Sequence, residues 1–122
     1  MNNLYARAVF FVTSAKQAEQ FYTEQLGFAV DWRSPDGGSV LQVSLFGFEL
    51  ILEEAWDATL GRVGHGRVYI GLEDDQIGPM RTHIAGKAIK TERIRWGRET
   101  LVVRDQDGNE LYFWDWPEKQ RS

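Results

Sequence analysis

Few side chains in this 122-residue chain could act on a ligand, and their types and spacing limit what that chemistry can be. Cysteine is absent, which excludes disulfides, thiolate metal sites and cysteine nucleophiles together. Only two histidines are present, His65 and His83, and they stand far apart in the chain. His65 lies in the run Gly64-His65-Gly66 and has the chemistry of a mobile acid or base, but an imidazole between glycines reads first as a solvated one. His83 falls on the helix side away from Ile77 and Ile84 and is expected at the surface. Glu53 and Glu54 resemble a carboxylate pair, yet neighbours on a strand point to opposite faces and cannot share a substrate. Arg7 is the more informative charge. Two roles are open to it: pairing with a carboxylate, for which Glu110 is a candidate, or holding an anionic ligand.

Aromatic residues are the other resource. The chain has five tryptophans, and Trp32, Trp96, Trp114 and Trp116 lie in or beside strands. Large rings on terminal strands, such as Trp114 and Trp116, are first of all core or interface packing. Trp96 differs, because Arg95-Trp96-Gly97 reads as a loop, where packing explains a large ring less easily. It is expected to face a ligand.

The elements that must position these groups follow from periodicity. Val9 to Val12 is a short buried strand, and Ser14 stands at a helix N-cap with Gln17 as capping-box partner. Ala15, Ala18, Phe21, Tyr22 and Leu26 form one helical stripe, which Gly27 ends. Three strands follow: Phe28 to Arg33, Val40 to Phe46 and Phe48 to Glu54, with turns at Ser34-Pro35-Asp36-Gly37-Gly38 and Gly47.

The second half repeats the order. It has a strand from Arg67 to Leu72, a helix starting at Asp75 or Pro79 and reaching Ala85, and strands at Ala88 to Ile94, Thr100 to Arg104 and Glu110 to Trp114. Phe-Gly-Phe-Glu-Leu at Phe46 to Leu50 answers Asp-Gly-Asn-Glu-Leu at Asp107 to Leu111, an offset of 61. The expected fold is α+β: one domain over residues 1–122, with module one at about 5–54 and module two at about 66–116. The two βαβββ modules form a curved mixed sheet around a cleft, and Ala55 to Gly66 joins them. By strand alternation Arg7, Val9 and Phe11 share one face, as do Glu110, Tyr112 and Trp114.

Phe21-Tyr22-Thr23-Glu24-Gln25-Leu26-Gly27-Phe28 and Arg104-Asp105-Gln106-Asp107-Gly108-Asn109 carry a resemblance. Together with the doubled module, they resemble the vicinal oxygen chelate superfamily of glyoxalases, bleomycin resistance proteins and extradiol dioxygenases. The resemblance runs from Tyr5 to Trp116, and Gln106 departs from the usual proline. It implies a divalent metal held by four side chains on the first and last strands of each module, which at offset 61 are Arg7, Ile51, Val68 and Tyr112. None is a good ligand for such an ion, and an arginine repels it.

Trp96-Gly97-Arg98-Glu99 followed by Arg104-Asp105 is similar to the bleomycin-resistance branch, whose members bind their ligand without transforming it and work as dimers. The expectation is therefore a metal-free, cofactor-free homodimer that sequesters a small aromatic or cationic ligand such as a bleomycin-type antibiotic. Its ligand-binding residues would be Arg7, Trp32, Trp96, Glu99, Glu110, Tyr112 and Trp114, with no catalytic residue. The alternatives are a glyoxalase- or dioxygenase-like enzyme, working with a displaced metal or through Tyr112, Glu110 and Arg7, and a regulatory domain without a ligand. A net charge of −4 speaks against nucleic acid. The absence of a long apolar run or an apolar leader in MNNLYAR points to a cytoplasmic protein without a membrane partner.

Overall fold

The computed structural model describes residues 6–114. The chain runs β1 (Ala8–Val12), α1 (Ala15–Gln20) with a π-helical extension at Phe21–Gln25, β2 (Ala29–Arg33), β3 (Val40–Leu45) and β4 (Phe48–Glu54). A 3-10 helix at Asp57–Arg62 lies in the joint. Module two follows as β5 (Arg67–Gly71), α2 (Asp74–Gly86), β6 (Thr91–Trp96), β7 (Arg98–Arg104) and β8 (Glu110–Trp114). Each module is a four-stranded mixed sheet, ordered β1-β4-β3-β2 and β5-β8-β7-β6, with the first strand parallel to the last. The α+β architecture of two βαβββ modules is thus present.

Local chemistry explains the element ends. The Ser14 hydroxyl accepts from the Gln17 N–H at 3.2 Å and caps α1. Gly27 turns the chain at φ +83°, a left-handed value that glycine adopts without penalty. Helix α2 starts earlier than either expected residue, at Asp74, so Pro79 is its sixth residue and leaves the Asp75 carbonyl without its helical donor. The Gln76 side chain accepts from the Glu73 N–H at 2.9 Å and fixes that start.

In each sheet one face packs on the helices. Phe10, Val12, Leu41, Val43, Leu50 and Leu52 of module one join Ile70, Leu101, Val103, Leu111 and Phe113 of module two in a single apolar cluster with Tyr22, Leu26, Ile77, Met80 and Ile84 from the helical segments. His83, expected at the surface, is instead half-buried. Its Nε2 lies 2.6 Å from the Gln25 carbonyl oxygen and its ring beside Gly27, where it ties α2 to the end of the first helical segment. Among the described residues the helices pack on one side only, and the other, helix-free side is called the open face of each sheet.

The repeat offset needs one correction. Leu50 and Leu111 are equivalent at 61, but their first-strand partners are Ala8 and Val68, which differ by 60. Module two has one more residue between its first and last strands than module one. Val68 therefore faces the helices, and the open-face equivalent of Arg7 is Arg67. Strand β6 also runs later than expected, through Trp96, so Trp96 ends a strand and pairs with Arg98 across Gly97 at φ +75°.

Candidate functional site

Strand alternation and register place Arg67, Tyr69, Glu110, Tyr112, Trp114, Glu92, Trp96, Arg98 and Arg104 on the open face of the second sheet. Four rings make a compact wall there. Trp96 lies 5.2 Å from Tyr112, nearly perpendicular to it, and 6.2 Å from Trp114; Tyr69 lies 4.1 Å from Trp114 and 6.0 Å from Trp96, all centroid to centroid. These separations lie within or just below the usual range for favourable aromatic pairs. Tyr112 is buried, whereas Tyr69 and Trp96 are 42% and 41% exposed and present flat apolar surface.

Guanidinium groups cover the inner rings. The Arg98 guanidinium carbon lies 3.7 Å from the Trp114 ring centroid, and that of Arg67 lies 4.5 Å from the Tyr112 centroid. Arg67 also pairs with Glu110 at 2.9 Å, and Glu110 is held from its other oxygen by Arg104 at 3.0 Å. Arg104 in turn reaches Glu92 at 2.8 Å. The partner expected for Arg7 is corrected: its carboxylate is Glu49, at 2.8 Å, not Glu110. Arg7–Glu49 and Arg67–Glu110 are the same pair in the two modules, one guanidinium and one carboxylate on the first and last strands. Alternation made Glu110 available on the right face, but register gave it to the nearer cation.

The other expected ligand residues do not converge on this wall. Glu99 shares the face of Leu101 and Val103, opposite to Trp96, and faces Arg93 at 3.9 Å. Counting alternate residues back from Leu101 puts it on the face opposite the aromatic wall. Trp32 is 44% exposed on the edge strand of the other sheet, opposite Gln42, beyond a bulge between Val30 and Trp32 that turns Asp31 toward Gln42 and Ser44. Trp116 lies outside the described residues. Sequence reasoning does not bring Tyr69, Arg67 and Arg98 to this face, although the buried Ile70 signals that Arg67, Tyr69 and Gly71 face the other way.

The residues do not fit a divalent metal. Among the described residues no three His, Asp or Glu side chains gather at one point, and the paired first and last strands of each module each present an arginine beside their glutamate. A crevice of about 40 Å³ on the helix side, lined by Phe28, Phe48, Ile70 and Phe113, is room for a water or two rather than an organic ligand. The aromatic face is an open platform.

The signature motifs turn out to hold the modules together. The Tyr22 hydroxyl donates to Asp105 at 2.9 Å, and the Asn109 amide donates to Asp105 and to the Phe11 carbonyl, both at 3.0 Å. Asn109 Oδ1 accepts from the Gly66 N–H at 2.8 Å, and Asp107 accepts from the Thr13 hydroxyl at 2.7 Å. Burial raises the Asp105 carboxyl above its ordinary value, against hydrogen bonds from Asn109, the Asp107 N–H and Tyr22 that pull it down. Burial, then the neighbouring Asp105, pushes the Tyr22 phenol well above its own.

Fold and motifs together define a class: the chain belongs to the Glyoxalase/Bleomycin resistance protein/Dioxygenase superfamily, whose family model matches residues 5–113. No curated protein sequence matches the chain. Among solved structures it is similar to TnmS3, an antibiotic binding protein from Streptomyces sp. CB03234, at 21% identity and TM-score 0.68, covering 93% of this chain and 96% of that one. It is also similar to a lactoylglutathione lyase from Agrobacterium tumefaciens, at 18% identity and TM-score 0.66, covering 93% and 94%. A glyoxalase/bleomycin resistance protein from Streptomyces sp. CB03234 follows at 21% identity and TM-score 0.64, covering 88% and 98%. At these identities the likeness is one of fold. Among the described residues no helix is long and apolar enough to cross a membrane.

Proposed function

We propose that this protein binds a planar aromatic small molecule without transforming it, by stacking it on the Trp96–Tyr69 surface. The observation that carries this reading is the four-ring wall, in which two buried or half-buried rings back two that expose large flat area to the open face. Other large apolar side chains are as exposed, but Trp96 and Tyr69 are contiguous, and contiguous exposed apolar area marks ligand or partner surfaces more often than scattered side chains do. TnmS3, named for antibiotic binding, has the same fold and gives a drug-sequestering role, including for bleomycin-type compounds, as the version to test first. A homodimer belongs to the reading, since Val9 and Trp32 leave further apolar area on the other sheet.

Catalysis through Tyr112, Glu110 and Arg7 has less support. Glu110 is held by two guanidiniums and Arg7 is paired with Glu49, so neither is poised to take a proton from a substrate.

Titration of tryptophan fluorescence with planar aromatic compounds, bleomycin among them, tests the binding reading. Saturable quenching is expected, about tenfold weaker in Trp96→Ala, the order of one lost aromatic contact with its area. No quenching by any compound, or equal affinity in the variant, would refute it. Light scattering of the eluting protein tests the dimer, and a monomer mass at micromolar concentration counts against it.

A further inference from the structure

The charges around the aromatic wall differ from those expected for a cationic ligand. On the open face of the second sheet, three guanidiniums, Arg67, Arg98 and Arg104, stand against two carboxylates, Glu92 and Glu110. Both carboxylates are already engaged by arginine. The Arg98 guanidinium carbon stands 3.7 Å from the Trp114 ring centroid and, among the described residues, has no carboxylate within ion-pair distance. Beside it the Trp114 indole Nε1 is a buried donor that, among the described residues, has no acceptor. Among the described residues, two donors thus lie by the aromatic wall without a carboxylate or other acceptor engaging them. A cation brought to this spot meets like charge, whereas an anion meets a guanidinium whose attraction is strengthened by apolar surroundings.

We infer that the site selects planar aromatic ligands that carry an anionic group such as a carboxylate, with the ring stacked on Trp96 and Tyr69 and the anion paired to Arg98. This rests on the binding reading above and adds the charge of the ligand to it. Arg98 becomes the specificity-determining residue, and Arg67 and Arg104 are occupied in holding Glu110 and Glu92.

Three matched probes separate the two ideas: 2-naphthoate, neutral 2-naphthamide and cationic 2-naphthylmethylammonium, each titrated against the full chain by calorimetry. The expected result is 2-naphthoate about tenfold tighter than 2-naphthamide and the ammonium weakest, with the naphthoate preference falling as salt rises from 20 to 500 mM. In Arg98→Gln the naphthoate-to-naphthamide ratio falls to about one, and in Arg98→Lys part of it returns. The salt series uses the wild-type protein and holds if Arg98→Gln folds poorly. Tighter binding of the ammonium, or equal salt-independent binding of all three, would overturn the charge inference and leave aromatic binding standing. Absence of binding by all three would overturn both.

Discussion

The hydroxyl of Tyr22 donates a buried hydrogen bond to the carboxylate of Asp105, 83 residues away, and this contact joins the helical segment of module one to the signature turn of module two. Both residues belong to motifs that mark the superfamily, yet neither faces the aromatic platform. Their role is to set the two modules against one another.

Tyr22→Phe should therefore cost about 1–3 kcal/mol, the range for leaving a buried acceptor short of a donor. Urea unfolding monitored by circular dichroism measures it, and a change below about 0.5 kcal/mol would show that the contact contributes little. The pH dependence has a definite sign. Burial raises the folded-state Asp105 value above its ordinary 3.8, so the stability from this group is present below that value and is lost as pH rises through the folded value. Removing the Tyr22 donor, which lowers it, should raise the Asp105 midpoint further in a carboxyl-carbon NMR titration.

Asn109→Asp replaces a donor that lies 3.0 Å from both Asp105 and the Phe11 carbonyl with a second buried carboxylate. Loss of several kcal/mol, of the order of an unpaired buried charge, is expected at neutral pH. Thermal unfolding at two pH values checks it: the loss should shrink in acid, where the carboxylates are protonated, and a pH-independent loss would point to packing instead.

Gly64→Ala and Gly47→Ala make a paired test of the joint. Both glycines have positive φ, +78° and +85°. A methyl on Gly64 would overlap the Asp107 carbonyl, whereas nothing lies within 4 Å of one on Gly47. Gly47→Ala should cost about 1–2 kcal/mol for left-handed backbone alone, and Gly64→Ala clearly more, by denaturant unfolding. Equal losses would mean that the joint yields easily.

Gly71→Ala tests the platform without touching a ring. A methyl there would stand 2.8 Å from the Tyr69 hydroxyl and displace that ring from its place beside Trp114. Affinity for the aromatic ligand should fall severalfold with little change in thermal midpoint, and unchanged affinity would remove Tyr69 from the site.

Asp36 offers a control far from the platform. Hydrogen bonds from Ser34 and Ser39 lower its carboxyl from 3.8 to about 2. A depressed value means that its contribution to stability is present above 3.8 and is lost as pH falls through about 2. The NMR midpoint of Asp36 should move back toward 3.8 in Ser34→Ala/Ser39→Ala, and a midpoint that stays near 2 would assign the shift to something else.

Sequence alone determined what depends on near neighbours. Ser14 as a cap, Gly27 as a terminator, the βαβββ order and the shared face of Glu110, Tyr112 and Trp114 all follow from spacing of a few residues, and the signature motifs carried the family. It misplaced what depends on distant pairing. One additional residue between β5 and β8 shifts the repeat from 61 to 60, and that turns Val68 inward, puts Arg67 outward and gives Glu110 to Arg67 while Arg7 takes Glu49. A single step of register reverses the face of every side chain on a strand, so periodicity within one strand cannot set it against another. Tertiary structure also decided that Trp96, Tyr69, Tyr112 and Trp114 form one wall beneath arginines, because strands far apart in the chain, such as β5 and β8, lie side by side only once the sheet has formed.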